Sequence, residues 1–65
     1  MKIAENLKKF RESKGLSQVQ LAEKAGVNQS MIAHIENGLK VPSLAVTVNL
    51  SDVLGVTLDE LCKGA

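Results

Sequence analysis

Apolar and polar residues alternate along this chain with a helical period, interrupted at regular points. Ile3, Leu7 and Phe10 fall at i, i+4, i+7; Ile32 and Ile35 fall at i, i+3. Between such runs stand four breaks, Lys14-Gly15, Ala25-Gly26, Asn37-Gly38 and Leu54-Gly55, each placing Gly where a helix would end in a left-handed residue. The starts agree with the stops. Ser17 with Gln20 and Thr57 with Glu60 read as capping boxes, Asn28 and Ser43 as N-caps, and Leu16/Leu21, Val27/Ile32 and Val56/Leu61 as hydrophobic staples. Five helices are predicted, at about 3–14, 18–25, 29–36, 44–54 and 58–63. The stretch "LAVTVNL" (44–50) is rich in β-branched residues and alternates weakly, as a strand would. Its caps, its length and the shared face of Leu44, Thr47, Val48, Ser51 and Leu54 decide for helix.

These faces define a core of Ile3, Leu7, Phe10, Leu16, Leu21, Ala22, Val27, Ile32, Ile35, Leu44, Val48, Leu54, Leu58 and Leu61. Such a set closes as a compact all-α bundle with short connections. The 65 residues make one domain near the lower size limit for independent folding. One cysteine, Cys62, rules out an internal disulfide and points to a reducing compartment, so a cytoplasmic protein is expected. No apolar run approaches the ~20 residues of a membrane span, and the start reads as no signal peptide.

Charge and composition narrow the function. Aromatics are nearly absent, with one Phe, no Trp and no Tyr, which removes the stacking platforms of single-strand binders. Residues 1–40 hold seven Lys/Arg against four Glu, while residues 41–65 hold Lys63 against Asp52, Asp59 and Glu60. The basic end suits a polyanion, although ordinary solvated helix surface gives the same balance. An enzyme is not expected: one His, one Cys and no paired acids offer no catalytic set. No second His or Cys stands at ligand spacing from His34, so no metal or other cofactor is expected, and no small-molecule ligand either.

The helix predicted at 29–36 carries the sharpest signal. Ile32 and Ile35 point one way; Gln29, Ser30, Ala33 and His34 point the other, with Asn37 continuing the line. That outward stripe lacks the Lys/Glu pairs that usually decorate a solvated helix. It follows a glycine-containing turn from the preceding short helix, the arrangement of a helix-turn-helix at about 17–37.

"LSQVQLAEKAGVNQSMIAHIENG" resembles the helix-turn-helix of the lambda-type phage repressor and Cro family, the xenobiotic-response-element type. The likeness is carried by Leu16-Ser17-Gln18, Leu21-Ala22, Ala25-Gly26-Val27, Ile32, Ile35-Glu36 and Gly38, and "VPSL…LGVTLDEL" is similar to the family's fourth and fifth helices. The resemblance implies a five-helix lambda-repressor-like domain binding double-stranded DNA as a transcriptional regulator, a repressor. Helix 29–36 would lie in the major groove, with Gln29 as principal base reader and Ser30, Ala33 and His34 beside it. Gln18, Asn37 and Lys40 would contact phosphates, as would Asn28 after its capping role. Arg11 and Glu36 would form an ion pair fixing the angle of the reading helix. Two departures stand out: the reading face carries no Arg or Lys, and Thr47 and Ser51 hold positions that are commonly more apolar.

A homodimer on a palindromic operator is expected, because one copy reads too few base pairs. Val46, Leu50 and Val53, pointing away from the stripe Leu44, Val48, Ser51, offer an interface that Leu58 and Cys62 extend. The alternative is a helix-turn-helix used for protein–protein interaction. Antitoxins and restriction-modification controllers would share the same pattern.

Overall fold

A computed structural model describes residues 2–63 of the chain. Its five helices are α1 (Ile3–Ser13), α2 (Gln18–Ala25), α3 (Gln29–Glu36), α4 (Leu44–Leu54) and α5 (Leu58–Cys62), and the described residues include no strand. The capping chemistry decides where each begins. Ser17 and Thr57 form capping boxes with Gln20 and Glu60, while Asn28 and Ser43 accept from the backbone N–H of Met31 and Val46. Gly26 ends α2 at φ +72°, a conformation open to glycine with little strain, and this lets the chain turn directly into α3.

The core gathers Ile3 and Leu7 from α1, Leu21, Ala22 and Ala25 from α2, Ile32 and Ile35 from α3, Leu50 and Leu54 from α4, and Leu61 from α5. Phe10, Leu16, Val27 and Met31 pack on it half-buried. α3 lies against both α1 and α2, so the helix with the polar stripe is held on its two inner sides. Asn6, on the core side of α1, donates to the carbonyl of Leu61 at 3.0 Å, and the Lys2 N–H donates to that of Cys62 at 2.9 Å. Together they satisfy carbonyls at the end of α5 that a short helix leaves without partners.

α4 departs from the expected packing. Its buried face is Thr47, Leu50, Ser51 and Leu54, turned by about 45° from the face read in the sequence. Leu44 and Val48, expected in the core, are exposed, and Leu50, expected on an outer dimer patch, is completely buried. The hydroxyls of Thr47 and Ser51 reach the core because they donate to their own helix, to the carbonyls of Ser43 and Val48, both at 2.8 Å. A buried hydroxyl so bonded carries no desolvation penalty for an unmet partner. Leu58, also expected in the core, is 38% exposed. It is the first residue of α5, where the inward position falls to Leu61 instead.

Candidate nucleic-acid interface

α3 presents its polar stripe outward because Ile32 and Ile35 are both 0% exposed, which fixes the rotation of the helix. Gln29, Ser30 and His34 are exposed along that side and Ala33 is half-buried between them. Asn37 caps the helix end, exposed, and Lys40 is exposed in the following loop. Asn28 is engaged as the N-cap through its side-chain oxygen, 2.9 Å from the Met31 N–H, and remains exposed.

Beneath the stripe runs a chain of hydrogen bonds. Arg11, buried on α1, donates from Nε to Glu36 Oε2 at 2.7 Å and from Nη2 to Glu36 Oε1 at 3.1 Å. Its Nη1 donates to the Leu16 carbonyl at 2.7 Å. The guanidinium thus ties α1, the turn before α2 and the end of α3 into one unit. Only 10% of the Arg11 side chain and 3% of the Glu36 side chain meet solvent. The hydrogen bond to Glu36, opposed by partial burial, raises the Arg11 pKa above its ordinary value, so the cation persists throughout the neutral range. Gln18 then donates to Glu36 Oε1 at 3.2 Å, and Gln29 donates to Gln18 Oε1 at 3.0 Å.

The ion pair expected between Arg11 and Glu36 is therefore present, and it has two further members. The link from Gln18 to Gln29 was not anticipated, although the sequence holds a signal for it: both residues open a helix directly after an N-cap, on either side of one turn. Asn6 was missed as well. It sits three residues after Ile3, on the inward face of α1.

The electrostatic outcome is specific. Glu36 is the single carboxylate of α3, and Arg11 occupies it from inside. The outward face is left with hydrogen-bonding groups and no carboxylate, so it can approach phosphates without repulsion. Val46, Val53 and Cys62 are half-buried and Leu50 is buried, so of the residues expected at a dimer interface only Leu58 is exposed. Among the described residues no group of His, Cys, Asp and Glu is arranged to hold a metal ion, and no helix is long and apolar enough to cross a membrane.

A family model described as Helix-turn-helix matches residues 7–61. The HTH-type transcriptional regulator SinR of Bacillus subtilis (strain 168) is 40% identical over 60 residues, covering 91% of this chain and 54% of the relative. YqaE from the same organism, an uncharacterized HTH-type transcriptional regulator, is 39% identical over 61 residues, covering 94% of this chain and 53% of the relative. The chain thus spans about half the length of these relatives. Among solved structures, SinR in complex with DNA superposes with a TM-score of 0.87 at 40% identity, covering 91% of this chain and 95% of that one. The P22 c2 repressor in complex with a synthetic operator superposes with a TM-score of 0.92 at 25% identity, covering 97% of this chain and 96% of the repressor chain.

Proposed function

The chain belongs to the helix-turn-helix family, and from that premise we propose that it is a sequence-specific double-stranded DNA-binding transcriptional regulator, a repressor, that reads the major groove with α3. The observation that carries this reading is the outward face of α3: hydrogen-bond donors and acceptors on a helix whose own carboxylate is paired from within. A carboxamide at Gln29 suits the N6 and N7 edge of adenine, Ala33 suits a thymine methyl, and Ser30 and His34 suit neighbouring base edges. Gln18, Asn28, Asn37 and Lys40 flank this strip at the helix ends, where phosphate contacts set register. Relatives of the same construction support the reading, since SinR and the P22 c2 repressor were both solved with DNA.

The functional form is a homodimer on a palindromic operator. One copy measures 25 × 23 × 19 Å, less than the ~34 Å between half-sites one helical turn apart. Apolar side chains left exposed on α4, Leu44 and Val48, and at the start of α5, Leu58, are available for the partner to cover.

Selection of a preferred duplex from a random pool, followed by binding of the Gln29→Ala variant, tests the proposal. Two protomers should bind each selected duplex. The variant should lose about 1–3 kcal/mol on that duplex and little on random DNA. An equal loss on both would show that Gln29 only positions the protein.

A further inference from the structure

The outward face of α3 has no lysine or arginine, but it has one side chain that can become a cation. His34 is exposed there, in the last turn of the helix, and it is the single histidine of the chain. Imidazole is the side chain whose ordinary titration falls nearest to neutral pH, so its surroundings decide its charge.

The protein supplies no ion-pair partner to decide it. On α3 itself, the side chains one turn away are Ser30 and Met31, and Asn37 follows on the other side; all are uncharged. Glu36, two positions on, has its carboxylate turned inward onto Arg11 at 2.7 Å. The helices packed against α3 are α1 and α2. Apart from Arg11, their charged residues are Glu5, Lys8, Lys9 and Glu12 on α1 and Glu23 and Lys24 on α2, all exposed. Lys40 is exposed in the loop that follows. Among the described residues the ion pairs are Arg11–Glu36 and Lys63–Asp59, and neither includes His34.

Duplex DNA is a different environment. It brings phosphates, and in the major groove the acceptors N7, O6 and O4 stand beside the donors N6 and N4. An imidazolium donates from both ring nitrogens, whereas the neutral ring donates from one and turns a lone pair outward from the other. A lone pair is repelled by a phosphate oxygen or by N7. The carbonyls at the end of α3 carry partial negative charge and also favour a cation in its last turn. The ring therefore holds a proton more tightly against DNA than in the free protein.

We propose that DNA binding takes up a proton at His34, so that the face of α3 meets DNA with a pH-dependent cation in place of the arginine or lysine it lacks. The gain in affinity is complete at pH values below the titration of the free ring, and it is lost as pH rises through that of the bound ring. The proposal rests on α3 facing the groove, as argued above.

The test compares the full chain with His34→Gln, whose amide forms hydrogen bonds but never takes up a proton at neutral pH. His34 is exposed, so the exchange leaves the core in place. Affinity for the selected duplex is measured at fixed salt between about pH 8 and about pH 6. The unaltered protein should tighten by about three- to tenfold across that range, and its salt slope should steepen by up to about 0.9. His34→Gln should stay level within about twofold. The single histidine also gives one set of ring signals in NMR, and these should report protonation persisting to higher pH in the complex than in the free protein. A ring that titrates at the same pH in both states overturns the proposal, as does a pH dependence that survives in His34→Gln. A full chain that binds no duplex at any pH removes the premise, and the proton uptake falls with it.

Discussion

Two helices of this domain choose their buried face by different means. In α3 two isoleucines are flanked by amides, a hydroxyl and an imidazole, and only one rotation buries the first set while solvating the second. In α4 seven of the eleven residues are apolar, and they surround the helix. Almost any rotation buries hydrocarbon, so neighbours settle the outcome. α4 packs on α2, and each brings small side chains to the shared core: Ala22 and Ala25 from α2, Thr47 and Ser51 from α4. The larger Leu44 and Val48 are left outside. A polar residue locates a face as firmly as an apolar one does, but only where polarity costs something on burial. Thr47 and Ser51 escape that cost by bonding to their own backbone.

This contrast can be probed by substitution. The largest effect is expected at the anchor of α3. Arg11→Met leaves the Glu36 carboxylate, 3% exposed, without its cation, and should lower the unfolding free energy by about 3–5 kcal/mol in urea titration. Since Arg11 has a folded-state pKa raised above its ordinary value by the Glu36 carboxylate, its contribution is complete below that ordinary value and lost only as pH rises through the higher folded one. The unaltered protein should therefore show no loss of stability from this group across the neutral range. A small effect of Arg11→Met would mean that α3 is held by its isoleucines alone.

Next in size is the pair that defines the rotation of α4. Leu50→Ala should cost about 2–5 kcal/mol and Leu44→Ala under about 0.5 kcal/mol, because the first is 0% and the second 73% exposed. The opposite order would restore the face read from spacing. Smallest is Ser51→Ala, which removes a hydroxyl that serves only its own helix. It should change stability by no more than about 0.5 kcal/mol, with a gain more in keeping with alanine's helix propensity. A loss of 2 kcal/mol or more, about the scale of an unmet buried partner, would show that the hydroxyl holds something beyond α4.

The same contrast explains what was legible beforehand. Helix ends were readable because Ser17, Asn28, Ser43 and Thr57 act on backbone a few residues away, and local chemistry is written locally. The stripe on α3 was readable for the reason given above. The rotation of α4 was not, since its apolar residues do not distinguish one side from another. The role of Asn6 depends on a carbonyl 55 residues later, and the Gln18–Gln29 bond on the angle between two helices. Neither is encoded in spacing along one element.

In the proposed complex α3 reads base edges while charged and polar groups around it hold the phosphates. The most direct test is a salt titration of binding to the selected duplex and to random duplex, side by side. Random binding should fall log-linearly with salt, with a slope near −0.9 per phosphate neutralised, and the selected duplex should be bound at least about 10³-fold more tightly at physiological salt. Equal affinity for the two duplexes, or binding indifferent to salt, would contradict the account.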